Sequence, residues 1–229
     1  DLDAALKQIG APAILKTRRL GYDGKGQARI MTLADADAAH AAMNGQPAIL
    51  EGFCKFECEV SIVAARTIHN GFAAFDLVEN EHANGILKRT LAPGRVDARV
   101  QKQAADLAFL VGDALDYAGV LAIEFFLMPD GKLIANEMAP RVHNSGHWTI
   151  EGALTSQFEQ HIRAVAGWPL GDPTRLAPVV MENLIGDAIA AIPARLGPGL
   201  RPHAYGKAES RPGRKMGHIN RISVQTREN

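Results

Sequence analysis

Two glutamates in the middle of the chain are spaced as a pair of metal ligands would be. Asp130-Gly131 is a dipeptide favoured at the tip of a two-residue type I′ hairpin turn. Positions 130 and 131 sum to 261, and so do positions 124 and 137. Glu124 and Glu137 are therefore predicted to face each other across the hairpin, with Cβ atoms about 5 Å apart.

Facing carboxylates repel each other unless a positive charge lies between them. Their strands are apolar at Leu121, Ile123, Phe125 and Leu133, and a dry environment increases the repulsion. A hard divalent cation with oxygen ligands removes it, and Mg²⁺ bound together with substrate phosphates is the usual case. The alternative is that both glutamates face solvent, or that a longer turn shifts the pairing.

A glycine-rich cationic segment, LKTRRLGYDGKGQARI, spans residues 15–30. It reads as a short apolar strand, then Lys16 and two arginines, then three glycines in a GxxGxG arrangement. Backbone N–H groups of such a loop can hold an anion, although a tight hairpin connection has the same composition. The segment is not a Walker A motif, because GxxxxGK[ST] is absent. Together with the glutamate pair, it suggests nucleoside triphosphate chemistry.

A dense polar stretch, NEMAPRVHNSGHWT, follows the second glutamate at once. It brings Arg141, His143, Asn144, Ser145 and His147 into seven positions. A single histidine is usually structural, but this concentration predicts a pocket for an anion.

A basic segment, YGKAESRPGRKMGHI, lies late in the chain. It carries Lys207, Arg211, Arg214 and Lys215. A bidentate arginine beside a lysine is suited to bind a phosphate group, and the alternative is a solvated basic loop.

The elements that position these residues mix short strands with a few helices, which predicts an α+β fold with antiparallel sheets. The segment DARVQKQAADLAFLVGDALDYAG is the clearest amphipathic helix, with Gly119 at its end. Asp35 is a candidate N-cap for the helix DADAAHAAM. The last 55 residues hold most of the prolines and are predicted to be loop-rich, with one strand at APVVMENLIG.

Composition excludes several functional classes. The chain has 229 residues, 47% of them hydrophobic, and a formal net charge of zero, which argues against a nucleic-acid binder driven by bulk charge. No apolar run approaches the roughly 20 residues that span a membrane, and no signal peptide is recognised, so we expect a cytoplasmic protein. Cys54 and Cys58 are expected to be buried thiols about 13 Å apart in a strand, too far for a disulfide, rather than metal-binding or catalytic residues.

Five motifs together resemble one branch of the ATP-grasp enzymes, the N5-carboxyaminoimidazole ribonucleotide synthases. They are ILKTRRLGYDGKGQ, EGF with FECEVS, AIEFF, NEMAPRVHNSGHWT and YGKAESRPGRKMGH, in the order of the family. Related ATP-grasp enzymes usually carry asparagine two residues after the second metal glutamate. This chain has Ala139 there, and alanine at this position is a feature of the synthase branch. Val142 departs from the family, in which proline is expected.

The resemblance implies a reaction in purine biosynthesis. ATP, bicarbonate and 5-aminoimidazole ribonucleotide would give the N5-carboxylated nucleotide, ADP and phosphate through carboxyphosphate. ATP would be the co-substrate, one or two Mg²⁺ ions the cofactor, and a homodimer the assembly, with no nucleic-acid or membrane partner. Such chemistry depends on positioning and charge neutralisation more than on strong acids or bases.

The resemblance also assigns residues. It implies Mg²⁺ ligands at Glu124 and Glu137, and a bicarbonate and carboxyphosphate site at Arg141, His143 and Asn144. ATP would contact Lys16, Gly21, Tyr22, Asp23, Gly24, Lys25, Gly26, Gln27, Glu51, Gly52, Phe53, Cys54, Glu59, His82, Asn136 and Glu137. The aminoimidazole ribonucleotide would contact Tyr22, Asp23, Ser145, Lys207 and Arg214.

The implied architecture is an ATP-grasp fold in three parts. A small lid domain at 1–52 would precede a larger antiparallel catalytic domain at 53–185 and a small β-rich segment at 186–229. The family's N-terminal Rossmann-like domain is not represented in this sequence. Two other functions therefore stay open, namely an ATP-grasp ligase with a different acceptor and an ATP-binding fragment without turnover.

Overall fold

A computed structural model describes residues 1–19 and 26–223. Within these ranges it contains five α-helices and twelve β-strands. The helices are α1 (Leu2–Ile9), α2 (Ala36–Ala42), α3 (Ala98–Ala114), α4 (Thr149–Gly152) and α5 (Gln157–Val165). The strands are β1 (Ala13–Thr17), β2 (Gln27–Ile30), β3 (Ala48–Gly52), β4 (Cys58–Arg66), β5 (Phe72–Ala74), β6 (Val78–Ala83), β7 (Ile86–Ala92), β8 (Gly119–Leu127), β9 (Leu133–Ala139), β10 (Val179–Ile185), β11 (Leu200–Ala204) and β12 (Lys215–Ile222).

The chain divides into two compact units. The smaller comprises residues 1–55 and 83–86, and the larger comprises 56–82 and the chain from Leu87 onward. In the smaller unit, β1 lies between β2 and β3 in an antiparallel sheet. Helices α1 and α2 contribute Leu6, Ala36 and Ala39 to its core.

The larger unit is built on a sheet with the order β11-β12-β10-β7-β6-β4-β8-β9 among the described strands, with β5 paired to β4. Every strand pair whose register is known is antiparallel, which confirms the predicted fold class. Strands β11 and β12 extend this same sheet. The three-part domain division itself stays a prediction.

Helix α3 covers the apolar face of β4 and β8. Its buried residues Val100, Ala104 and Ala108 recur every four positions, which places them on one side of the helix. They pack with Ile62 and Leu121 in one hydrophobic cluster. The helix ends at Ala114, so the predicted end at Gly119 is wrong. Gly119 instead begins β8 with φ 135°, a conformation that favours glycine.

Asp97 caps the N-terminus of α3, where its Oδ1 atom accepts a hydrogen bond of 2.8 Å from the Val100 N–H group. Replacing an aspartate cap by alanine leaves that donor without its partner. We expect Asp97→Ala to lower the free energy of unfolding by about 1 kcal/mol in urea titration. Asp97→Asn should retain most of the stability, and an equal loss in both variants would contradict a capping role.

Three smaller predictions need correction. Asp35 does not cap α2 with its side chain. Its Oδ2 atom accepts from the Met31 and Thr32 N–H groups and so closes the turn before that helix. Cys54 lies outside the strands, and both Cys54 and Cys58 are partly exposed rather than buried. Within the described residues they form no disulfide.

Membrane insertion by a helix finds no support in the described part of the chain. None of its helices combines the length and the apolar character needed to cross a bilayer.

Candidate active site

One face of the larger sheet carries a row of polar side chains across four strands. Glu59 and Ser61 on β4 pair with Asn80 on β6 and Glu124 on β8, respectively. Glu124 in turn pairs with Glu137 on β9. Because side chains alternate along a strand, these residues share the face opposite to the core that α3 covers.

The predicted pairing of Glu124 with Glu137 is confirmed, although the predicted turn is wrong. Leu127 pairs with Leu133, and Met128 N–H donates to the Lys132 carbonyl, so the loop has three residues rather than two. Gly131 has φ 80°, as the last position of such a loop requires. A bulge inserts Asn136 between the residues that pair with Phe125 and Glu124. The longer loop and the bulge each shift the register by one residue and cancel.

The two glutamates occupy different environments. Glu137 is exposed, whereas Glu124 is largely buried. Burial, followed by the negative charge of Glu137, raises the pKa of Glu124 to about 7. At neutral pH, Glu124 is therefore only partly ionised. A divalent cation between the two carboxylates would stabilise their ionised forms.

His143 completes a group of three possible ligands. Its Nε2 atom lies 3.3 Å from Glu124 Oε1, and the ligand atoms of Glu124, Glu137 and His143 lie within 4.8 Å of one another. Within the described residues, these three side chains form a cluster of histidine and acidic groups that could hold a metal. Burial, followed by the charge of Arg141, lowers the pKa of His143 to about 3, so the ring is neutral at neutral pH.

Ser145, predicted to contact substrate, is fully buried beneath this group. Its Oγ atom lies 2.9 Å from His143 Nδ1 and accepts a hydrogen bond of 2.8 Å from Ser61 Oγ. Asn80 Nδ2 donates to Ser61 Oγ, and Thr90 Oγ1 donates to Asn80 Oδ1. The contact of Ser145 with substrate stays a prediction, and its hydroxyl is here part of a buried polar chain.

Asn144 and Arg141 lie on either side of His143 in sequence but differ in their surroundings. Asn144 forms a reciprocal amide pair with Asn183 on β10, with N···O distances of 2.9 and 2.6 Å. Asn183 Nδ2 also donates to the Leu87 carbonyl, which fixes its orientation. Arg141 is exposed, and its Nη1 atom donates to the Val142 carbonyl at 3.0 Å.

Glu59 and His82 form a second polar pair on the same sheet. His82 Nδ1 lies 2.6 Å from Glu59 Oε2. Burial favours the neutral ring, but the hydrogen bond and the charge of Glu59 outweigh it, so the pKa of His82 is raised. The two residues predicted to contact nucleotide are therefore brought together.

In the smaller unit, Lys16 and Glu51 are also brought together. Lys16 Nζ lies 2.7 Å from Glu51 Oε2, across the pairing of β1 with β3. Gly26 has φ 70° and Gln27 begins β2 opposite Lys16. The Phe53 N–H group donates to the Pro12 carbonyl at 3.0 Å. Residues Gly21, Tyr22, Asp23, Gly24 and Lys25 lie outside the described residues.

The basic segment connects β11 to β12. Lys207 Nζ donates to the Lys215 carbonyl at 2.6 Å and lies 5.4 Å from the centre of the Tyr205 ring. Arg214 Nη1 donates to the Glu209 carbonyl at 3.0 Å. Lys207 thus contacts the backbone at the start of β12, and Arg214 contacts the backbone of its own loop.

Comparison with known proteins decides the family. The family model of the ATP-grasp domain matches residues 1–158, which is more than half of the chain. The chain belongs to the ATP-grasp family. A second model, the phosphoribosylaminoimidazole carboxylase C-terminal domain, matches residues 179–228. The ATP-grasp match includes the facing glutamates, and the second match includes β10, β11, β12 and the whole basic segment.

Relatives within the ATP-grasp family are similar over nearly the whole chain. N5-carboxyaminoimidazole ribonucleotide synthase of Brucella melitensis is 54% identical over 98% of this chain and 63% of its own length. The crystal structure of the Thermus thermophilus synthetase has a TM-score of 0.88 at 49% identity, and covers 97% of this chain and 60% of that one. The chain thus spans about three fifths of the length of these relatives.

A further ATP-grasp structure contains ligands. The N5-carboxyaminoimidazole synthase of Aspergillus clavatus, in complex with ADP and 5-aminoimidazole ribonucleotide, has a TM-score of 0.91 at 32% identity. It covers 97% of this chain and 60% of its own.

Four buried polar residues of this ATP-grasp chain were missed by sequence reasoning. They are Ser61, Asn80, Thr90 and Asn183, and they support His143 or Asn144 through hydrogen bonds. Each lies in a strand that also carries charged residues, so the burial of these four side chains leaves no distinct pattern in the sequence.

Proposed function

We propose that this chain supplies the ATP-dependent carboxylation site for 5-aminoimidazole ribonucleotide, as in N5-carboxyaminoimidazole ribonucleotide synthase. The observation that carries the proposal is the juxtaposition of Glu124, Glu137 and His143 on one sheet face of an ATP-grasp chain. The 54% identity to the Brucella melitensis synthase supports the choice of reaction. A homodimer and a cytoplasmic location belong to the same proposal.

The reaction proceeds in two transfers. A bicarbonate oxygen attacks the γ-phosphorus of ATP, the bond to the β-phosphate oxygen breaks, and ADP leaves. The resulting carboxyphosphate releases phosphate and CO₂. The exocyclic amine of the ribonucleotide then adds to the carbon of CO₂ and loses a proton, which gives the N5-carboxylate.

Glu124 and Glu137 would hold Mg²⁺, and the proposal is supported by their facing positions and by the raised pKa of Glu124 beside Glu137. Bound there, Mg²⁺ would neutralise charge on the phosphate oxygens. Asn136, in the bulge beside Glu137, would join the nucleotide contacts. Metal binding at this pair should displace the proton that Glu124 otherwise retains.

His143, Arg141 and Asn144 would surround bicarbonate and carboxyphosphate. Arg141 offers the guanidinium that recognises a carboxylate or phosphate in bidentate fashion. The amide pair with Asn183 holds Asn144 in one orientation. A rigid arrangement of this kind positions reactants without a strong acid or base.

Both units contain residues that we propose as nucleotide contacts. In the larger unit, Glu59 would accept hydrogen bonds from the ribose hydroxyls, and His82 holds that carboxylate in place. In the smaller unit, Lys16 would bind phosphate, while Glu51 and the backbone near Phe53 would bind adenine. Gly52, Cys54 and residues 21–27 complete the proposed set.

The whole reaction is best tested in a chimera, because the chain spans only part of its relatives' length. Residues 1–229 would replace the matching region of the Brucella melitensis synthase. We expect ADP release that requires both bicarbonate and 5-aminoimidazole ribonucleotide. A folded chimera that hydrolyses ATP equally without the ribonucleotide would contradict the proposed acceptor.

Lys207 and Arg214 would bind the 5′-phosphate of the ribonucleotide. Lys207→Ala and Arg214→Ala should each weaken its binding by about 1.5–3 kcal/mol, as for hydrogen bonds between charged groups. ATP affinity should hardly change, and calorimetry of the chimera with each ligand separates the two. Arg211→Ala is the matched control, since it removes the same charge from the same loop. If it weakens ribonucleotide binding equally, the effect is only one of net charge.

A further inference from the structure

We propose that a one-directional hydrogen-bond chain from Thr90 through Asn80, Ser61 and Ser145 fixes His143 as the tautomer protonated at Nε2. His143 then acts as a hydrogen-bond donor next to Glu124, and it is not a ligand of the metal. Thr90, Asn80, Ser61 and Ser145 are positioning residues that act through His143.

One hydrogen-bond donor beside His143 has a fixed direction. The backbone N–H group of Ser145 points at His143 Nδ1, with an N···N distance of 3.3 Å. A backbone amide is always a donor, so Nδ1 carries a lone pair and no proton. The ring is therefore neutral with its proton on Nε2.

The direction of each further hydrogen bond in the chain follows from the one before it. Ser145 Oγ lies 2.9 Å from Nδ1, and because Nδ1 has no proton, the Ser145 hydroxyl must donate. That uses the one proton of Ser145, so Ser61 must donate across the 2.8 Å contact between the two hydroxyls. Ser61 then needs a donor of its own, which is Asn80 Nδ2 at 2.8 Å.

Thr90 closes the chain at its far end. With Asn80 Nδ2 directed at Ser61, Asn80 Oδ1 accepts from Thr90 Oγ1 at 2.9 Å. Ser61, Ser145 and Thr90 are 0% exposed and Asn80 is 4% exposed, so bulk water does not compete for these groups. A buried chain in which each hydroxyl proton is already used is costly to reverse.

The consequence concerns the group of three possible ligands. A ring nitrogen binds a metal through its lone pair, and Nε2 of His143, 3.3 Å from Glu124 Oε1, has none available. Only the two carboxylates of the group remain for a hard cation, which prefers oxygen. That the N–H group also faces bicarbonate rests on the proposed function, whereas the tautomer does not.

The tautomer can be read directly by long-range proton–nitrogen correlation NMR on the ¹⁵N-histidine-labelled 229-residue chain at neutral pH. We expect His143 to show an unprotonated Nδ1 and a protonated Nε2. Ser145→Ala and Thr90→Val should produce a mixture of tautomers. Thr155→Val is the matched control, because Thr155 is a buried threonine of the same unit outside the chain of hydrogen bonds, and it should leave the spectrum of His143 unchanged.

A His143 ring protonated at Nδ1 in the unmodified chain would overturn the inference, whatever reaction the protein catalyses. So would an unchanged single tautomer in both Ser145→Ala and Thr90→Val. In the chimera, Ser145→Ala should lower kcat by up to about 100-fold, because His143 loses its fixed orientation, while leaving KM for ATP within about twofold. If the tautomer is as expected but the chimera shows no ribonucleotide-dependent turnover, the proposed function fails and the inference stands.

Discussion

Glu137→Gln is expected to abolish Mg²⁺-dependent ATP binding while the protein remains folded. The substitution removes one of two facing carboxylates and leaves a neutral side chain of the same size. Loss of the metal should weaken ATP binding on the order of 100-fold, to the level measured without Mg²⁺. The pKa of Glu124 should also fall from about 7, because the charge of Glu137 is the second of its causes after burial. Titration calorimetry with and without Mg²⁺ measures the first effect.

Glu57→Gln is the control for this experiment. Glu57 is exposed and lies just before β4, outside the group formed by Glu124, Glu137 and His143. It makes the same chemical change without touching the proposed ligands. Unchanged ATP–Mg²⁺ binding in Glu137→Gln would rule out the assigned metal site, and equal weakening in both variants would point to net charge.

The larger unit is expected to lose stability as the pH falls below about 6.5, well above the pH range in which ordinary carboxylates are protonated. Burial, with nearby positive groups, lowers the pKa of His143 to about 3, of His147 to about 4 and of His218 to about 3. Below about pH 6.5 the unfolded chain binds protons at these residues and the folded chain does not, so stability falls as pH falls. Glu124 and His82 act in the opposite direction, since their raised pKa values let the folded chain bind a proton first.

The net effect should be large. Between about pH 7.5 and about pH 5, each of the three histidines should cost about 2 kcal/mol and Glu124 should return about 2. His82 returns a further part, so the net loss is at most about 4 kcal/mol. That is a substantial part of the stability of an ordinary domain. Urea titrations at the two pH values measure the difference directly.

His218→Gln should reduce this pH-dependent loss by about 2 kcal/mol, because it removes one titrating group. His218 is 1% exposed, and its ring stacks on His203 with centroids 4.5 Å apart, so the variant will also be less stable at every pH. The informative quantity is therefore the difference in the free energy of unfolding between the two pH values. His69→Gln, at an exposed site of the same unit, should not change it. An unchanged difference in His218→Gln would show that His218 does not stay neutral in the folded chain.

The facing glutamates show what the sequence could predict and where it stopped. Their pairing followed from one turn dipeptide and a count of residues. The count succeeded because the three-residue loop offset the bulge at Asn136, and neither feature has a local pattern strong enough to be recognised alone. The pairing was predicted correctly, but the loop and the bulge that produce it were not.

Other misses have physical reasons as well. Strand β7 was not predicted, although Asn84-Gly85 before it has φ 53° and 75°, as a type I′ turn requires. The resemblance implied a β-rich segment at 186–229, but the residue pattern did not show strand β12. His218 and Asn220 are polar and yet buried in it, which removes the alternation that marks a strand.

The hydrogen-bond chain to His143 could not have been found from the sequence. Its members come from β4, β6, β7 and the turn after β9, and only the sheet order brings them together. Local patterns report on turns and faces of single elements. They carry no information on which buried hydroxyl groups of different strands will form hydrogen bonds with each other.

Transfer of oxygen from bicarbonate to phosphate tests the central claim most directly. Bicarbonate labelled with ¹⁸O would be given to the chimera together with ATP–Mg²⁺ and 5-aminoimidazole ribonucleotide, and the released phosphate analysed by mass spectrometry. Because a bicarbonate oxygen attacks the γ-phosphorus, we expect one labelled oxygen in each phosphate, in step with ADP release. Unlabelled phosphate released at the same rate would mean that water attacks ATP, and would contradict a carboxylating ligase.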